Sequence, residues 1–170
     1  MVRIERAKTQ DFLEIARLDR MAWTKARHSE YIPDGEHVWR IWVEHALVFC
    51  AKENGEVLGA LVVFPTVSGS YCLHKVFVDE AQRGKGVGTR LMEALFVEVD
   101  ALGVDCFLTV DPTNESAIRL YEGWGFTERA FVSGYYRKQE DRFVLTRRRI
   151  ETAEKLTRQV KEQAEEQGNG

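Results

Sequence analysis

One local pattern constrains this chain more than any other. Residues 71–78 read as an apolar strand, and Asp79-Glu80-Ala81-Gln82-Arg83-Gly84-Lys85-Gly86-Val87-Gly88-Thr89-Arg90-Leu91-Met92 follows directly. The run holds a short turn, a loop with glycine at positions 84, 86 and 88, and the start of a helix. Val87, Leu91, Leu95 and Val99 recur on one face of that helix and end near Gly103. Alternate glycines leave backbone N–H groups uncovered where a helix begins. The first N–H groups of a helix have no partner within it, and its dipole is positive at that end. Such a place takes an anion. Arg83, Lys85 and Arg90 add cationic charge, so a phosphate or pyrophosphate is the natural guest. A flexible turn with solvated charges would account for the glycines alone.

Two common phosphate loops do not fit. A P-loop needs GxxxxGK followed by Ser or Thr, but Gly86 follows Gly84-Lys85. A dinucleotide fingerprint counted from Gly84 would need glycine at 89, where Thr89 stands. What fits is Arg83-x-x-Gly86-x-Gly88 after an apolar strand. One strand and one helix later comes Asn114-x-x-Ala117-x-x-Leu120-Tyr121-x-x-x-Gly125-Phe126. In this order and spacing the two motifs resemble the GNAT superfamily, the Gcn5-related N-acetyltransferases. That family's Q/R-x-x-G-x-G/A loop grips the pyrophosphate of acetyl-coenzyme A, and its second motif runs N-x-x-A-x-x-L-Y-x-x-x-G-F. The resemblance is close over residues 57–126, one of layout over 1–56, and looser over 127–148.

At 170 residues and 44% apolar content, the chain has the size and composition of a single domain with a proper core. A net charge of −3 argues against a generally basic nucleic-acid binder. The longest apolar run, residues 57–64, is strand-sized, far below the roughly 20 residues of a membrane span. Arg3, Glu5, Arg6 and Lys8 do not make a signal peptide. Cys50, Cys72 and Cys106 are odd in number, lie far apart and fall in strand-like runs. They read as reduced core cysteines of a cytoplasmic protein, with neither disulfide nor metal site expected.

Alternation over 2–6 predicts a first strand. Phe12, Ile15, Ala16, Ala22, Trp23 and Ala26 predict a helix capped by Thr9, and Val38, Ile41, Trp42 and His45 predict the inner face of a second. Residues 46–52 and 56–64 read as strands joined through Asn54-Gly55, a type I′ hairpin signal. A largely apolar strand over 104–110, a helix over 114–124, and an antiparallel pair over 126–132 and 142–146 complete the order β-α-α-β-β-β-α-β-α-β-β. This order is the family's. It implies an α/β (α+β) GNAT fold: a mixed, mostly antiparallel sheet of about seven strands, splayed at the middle, with helices on both faces. The domain is expected over 1–148. Residues 149–170 are a charged extension, with a helix whose stripe Ala153, Leu156, Val160 and Ala164 fits a solvated helix better than the seam of a homodimer.

The resemblance also implies roles. Main-chain groups of Arg83, Gly84, Lys85, Gly86, Val87, Gly88 and Thr89 would take the pyrophosphate. Val76, Phe77 and Val78 would pair with the pantetheine arm as an added strand does, with an N–H near Val78 polarising the thioester carbonyl. Asn114 would bond the pantetheine or cap its helix. Tyr121 aligns with the family's general acid for the leaving thiolate. The base is open. His74 is the candidate, since it shares the parity of Val76 and Val78 and an imidazole near pKa 6.5 suits the task. It resembles the second member of a histidine pair in arylalkylamine N-acetyltransferases, although Cys72 stands where the first would be. A half-buried structural histidine is the alternative.

The implied reaction is acetyl transfer from acetyl-CoA to a primary amine of a small molecule, amino acid or peptide. A coenzyme A-binding regulatory or partner-binding module without turnover is the competing class. Trp23, Tyr31, Trp39, Tyr135 and Tyr136, with Asp34, Glu36 and Glu44, are candidates for the acceptor pocket. Tyr135-Tyr136 resembles the tyrosine pair of ribosomal-protein and protein N-terminal acetyltransferases.

Overall fold

The computed structural model describes residues 1–24 and 32–151, the side chain of Trp23 excepted. Seven strands form one sheet: β1 (Arg3–Arg6), β2 (Leu47–Glu53), β3 (Glu56–Pro65), β4 (Tyr71–Val78), β5 (Cys106–Val110), β6 (Glu128–Val132) and β7 (Arg142–Arg147). Their order is β1-β2-β3-β4-β5-β7-β6. Every neighbouring pair is antiparallel except β4 and β5.

Helices cover both faces. α1 (Phe12–Thr24) and α2 (Glu36–His45) lie on one side. There Ile15, Leu18, Trp39 and Val43 pack on Val48, Ala60, Val62 and Phe77. α3 (Val87–Leu102) and α4 (Glu115–Gly123) lie on the other, where Leu91, Leu95, Val99 and Ile118 meet Leu61, Val63, Leu73, Leu108 and Leu145. With helices on both faces, β3 is buried from Val57 through Val63, which explains why this stretch reads as continuously apolar. The hairpin after β2 turns through Asn54 at φ 53° and Gly55 at φ 87°, the two positive angles of a type I′ turn.

Some details differ from the sequence reading. Thr9 opens a 3-10 turn, Thr9–Asp11, and Asp11 does the capping: its carboxylate accepts the Lys8 N–H at 2.8 Å and the Lys52 ammonium at 2.7 Å. On α2 the inner face is Trp39, Trp42 and Val43, whereas Val38, Ile41 and His45 face outward. Trp39 makes this difference, because Asp19 on α1 accepts its indole N–H at 2.9 Å and lets the ring lie fully buried. Residues 148–151 are not helical, and the rest of the expected C-terminal helix lies outside the described residues.

The single parallel pair opens the sheet. β4 and β5 are joined only at Tyr71–Cys106 and Cys72–Phe107. Beyond Cys72 the strands part. At the same point β4 carries a bulge against β3: Val62 pairs with Lys75 and Val63 with Leu73, leaving His74 as the extra residue.

Candidate active site

A cavity of about 610 Å³ lies where β4 and β5 separate. Ile32, Asp34, His74 and Lys75 form one wall. Thr109, Val110 and Asp111 from the end of β5, with Asn114, Ala117 and Tyr121 from α4 and its cap, form the other. Tyr136, Arg137, Glu140 and Arg142 close it from the β6–β7 side. Its size suits a small-molecule site. Both candidate catalytic residues, His74 and Tyr121, therefore border one space.

His74 reaches that space by a different route from the one its parity predicts. Val76 and Val78 pack toward α3, on the same side as Leu73. His74 sits on the opposite side, against Trp42 at 5.1 Å and Phe64 at 5.9 Å between ring centroids. The bulge is the cause. An extra residue breaks the two-residue alternation of a strand, so His74 and Lys75, adjacent in sequence, point to the same side. The imidazole Nε2 lies 3.0 Å from Asp34 Oδ2, and Lys75 Nζ lies 2.7 Å from the same oxygen. Lys75 also donates to Asp19 at 2.9 Å and to the Ile32 carbonyl at 2.7 Å. Burial works against ionisation of Asp34. The bonds from His74 and Lys75 outweigh it and hold the carboxyl below the ordinary carboxylate range.

Tyr121 projects from α4 with its ring between Trp124, at 6.1 Å, and Phe126, at 6.0 Å. Burial pushes its phenol above the ordinary value, so it stays protonated and able to donate at neutral pH. Asn114 is the N-cap of α4, its side-chain oxygen accepting the Ala117 N–H at 3.2 Å. The capping role leaves its amide NH₂ as a donor on the cavity wall.

Residues 76–78 and 83–89 do not border the cavity. Val78 lies four positions beyond His74, roughly 13 Å along a strand. A ligand held at the glycine loop must carry a long arm to reach the cavity, as coenzyme A does. The loop fits a pyrophosphate. Gly84 and Gly86 have φ of 73° and 77°, and a Cβ at either would meet nothing within 4 Å, so the backbone there faces open space. Gly86 is the N-cap of α3 and offers no side chain to its first N–H groups. Of the flanking cations, Arg83 donates to the Val78 carbonyl at 3.4 Å, Lys85 to Gln82 at 3.3 Å, and Arg90 to the Val2 carbonyl at 3.0 Å.

The acceptor candidates divide. Asp34 and Tyr136 line the cavity, and Tyr136 bonds Thr109 at 2.8 Å with Tyr135 edge-on at 4.7 Å. Trp39 belongs to the core. Glu36 and Glu44 pair with Arg20 and Arg40 away from the cavity wall. Tyr31 and the Trp23 side chain lie outside the described residues. Lys75, Arg137, Glu140 and Arg142 were missed by the sequence reading. Arg137 and Glu140 are a local pair three positions apart, but nothing local shows that this stretch meets Lys75 across a cavity.

Residues 12–126 match the family model of the acetyltransferase (GNAT) family. YhfO, an uncharacterized N-acetyltransferase of Bacillus subtilis (strain 168), is 31% identical over 133 residues, covering 74% of this chain and 89% of that protein. The ribosomal protein bS18-alanine N-acetyltransferase of Escherichia coli (strain K12) is 33% identical over 94 residues, 55% of this chain and 63% of that protein. Among solved structures, the diaminobutyrate acetyltransferase EctA from Paenibacillus lautus, in complex with L-2,4-diaminobutyric acid and coenzyme A, shares the fold. Its TM-score is 0.69 at 16% identity, covering 90% of this chain and 99% of that chain. With the glycine loop, the parted strands and the family match in agreement, this chain belongs to the GNAT acetyltransferases.

Proposed function

We propose that this protein transfers the acetyl group of acetyl-CoA to a primary amine by direct attack, both substrates being bound together, with Tyr121 as general acid and His74 as base. The observation that carries the assignment is the single cavity between β4 and β5, bordered by both side chains. Residues 83–89 would hold the pyrophosphate, and the main chain of 76–78 would hold the pantetheine arm. The bound thioester supplies the activated acyl group.

An alkylamine with pKa near 10.4 is only about one part in a thousand neutral at pH 7.4, so a residue must accept its proton. His74, on the cavity wall, serves. Tyr121, neutral in its buried site, holds a proton that a departing thiolate can take. Two of the three carboxylates described on the wall are matched by cations, Asp34 by Lys75 and Glu140 by Arg137, and the third, Asp111, accepts from the Thr113 N–H and hydroxyl, so the wall is not a simple anionic funnel. The acceptor is therefore read as an amino acid, a small polar amine or a peptide N-terminus. The relative that acts on a ribosomal protein's alanine supports the peptide option, and Tyr136 on the cavity wall is consistent with it. Free, buried Cys50 and Cys106 suit a cytoplasmic enzyme.

The test is thiol release from acetyl-CoA with a panel of amines, amino acids and N-terminal peptides. A catalyst turns over at least one class, and a coenzyme A-binding module turns over none. Tyr121→Phe is expected to lower kcat about 100-fold or more while the KM for acetyl-CoA holds. Unchanged turnover would reject the acid role.

A further inference from the structure

We infer that Asp34 is a positioning residue for His74: it holds the imidazole proton on Nε2, so that Nδ1 carries the lone pair that accepts the proton of the amine. This deepens the reading of His74 as the base and rests on it.

An ionised carboxylate can only accept hydrogen bonds. Asp34 Oδ2 stands 3.0 Å from His74 Nε2, so the imidazole must donate there. In the neutral ring the proton then resides on Nε2, and Nδ1 is the basic atom. Asp34 is itself fixed. Its backbone N–H donates to Asp19 Oδ2 at 2.8 Å. Lys75 bridges the two carboxylates, reaching Asp34 at 2.7 Å and Asp19 at 2.9 and 3.1 Å. Asp19 is fully buried on α1 and also accepts the Trp39 indole N–H. The short segment before α2 is thus tied to the core of α1, and its carboxylate faces the bulge of β4.

The bulge supplies the second half of the argument. In a regular strand consecutive side chains take opposite faces. Here His74 and Lys75 share one, and both bond the same oxygen of Asp34. A lysine that secures the carboxylate and a histidine that the carboxylate orients are brought together by one extra residue. Trp42 and Phe64 flank the imidazole and restrict its tilt. Such an orienting carboxylate acts through tautomer and geometry, and its loss can remove much of what a base contributes.

Two measurements test this. Nitrogen-15 spectra of the wild-type protein should show the neutral His74 ring protonated at Nε2. Protonation at Nδ1 would overturn the inference without any variant. In kinetics with acetyl-CoA and the fastest amine of the panel, Asp34→Asn should lower kcat about 10- to 100-fold and leave the acetyl-CoA KM unchanged. In a His74→Ala background the same substitution should cost less than about twofold, because its partner is gone. Equal losses in both backgrounds would show that Asp34 serves only as an ion partner of Lys75. His74→Ala at the wild-type rate would instead remove the base assignment, and the role of Asp34 with it.

Discussion

Gly59→Ala should damage both the fold and the reaction, through one contact. Gly59 on β3 pairs with Val78 on β4. A Cβ built at Gly59 would lie 2.8 Å from the Phe77 carbonyl oxygen, 3.2 Å from Val78 Cα and 3.3 Å from Val78 Cγ2. Two of these atoms are backbone and cannot rotate away. Restoring an ordinary contact requires β4 to move by about 0.5 Å. Overpacking of this kind costs about 1–3 kcal/mol. For a chain of this size that lowers Tm by roughly 3–10 °C. The displaced segment is the one proposed to pair with the pantetheine arm and to offer the N–H near Val78. A misplacement of about 1 Å can cost on the order of 100-fold in rate, so half of that predicts about a tenfold loss in kcat/KM. Thermal melts and thiol-release kinetics on the purified variant measure both. A variant that melts and turns over like the wild type would refute the claim that the close approach of β3 positions the end of β4.

Gly88→Ala is expected to be tolerated. Its Cβ would meet only Val78 Cγ2, at 3.7 Å, and Gly88 stands at the loop position where the motif admits alanine, so Tm should hold or rise slightly and acetyl-CoA affinity by calorimetry should stay within about threefold; a loss of tenfold or more would argue against this alignment of the loop. Gly86→Val places a β-branched residue at φ 77°, at a cost of about 1–2 kcal/mol or more, and should abolish acetyl-CoA binding in the same assay. Stability should decline at alkaline pH. Burial pushes the Cys50 and Cys106 thiols up to about 12 and Cys72 up to about 11, above an unfolded value near 8.5. The folded chain keeps protons that the unfolded chain releases, so the stabilisation is complete below about pH 8.5. It is lost as pH rises, by up to about 1.4 kcal/mol per pH unit for each thiol. Urea midpoints at pH 7.5 and 9.5 check this, and equal midpoints would contradict it.

The legibility of the sequence follows the range of the contacts involved. The glycine loop, the Asn54-Gly55 turn, the Gly103 stop and the Asn114 cap are local, so each could be read within a few residues of itself and each stands where expected. The apolar β3 was legible because burial on two faces leaves no room for polar residues. Single-residue phase was not. On α2, Trp39 takes the core because an aspartate 20 positions earlier satisfies its N–H, and no periodicity within α2 reports that. The face of His74 depends on register with β3, where one unpaired residue cancels the alternation on which any parity argument relies. The same holds for the charge cluster around it. Lys75 and Asp19 stand 56 positions apart and His74 and Asp34 stand 40 apart, so neither pair leaves a mark on its own neighbourhood. A motif that binds through its own backbone can be seen in one stretch of chain. A histidine that meets a carboxylate from another element becomes visible only when the strand that carries it has been placed.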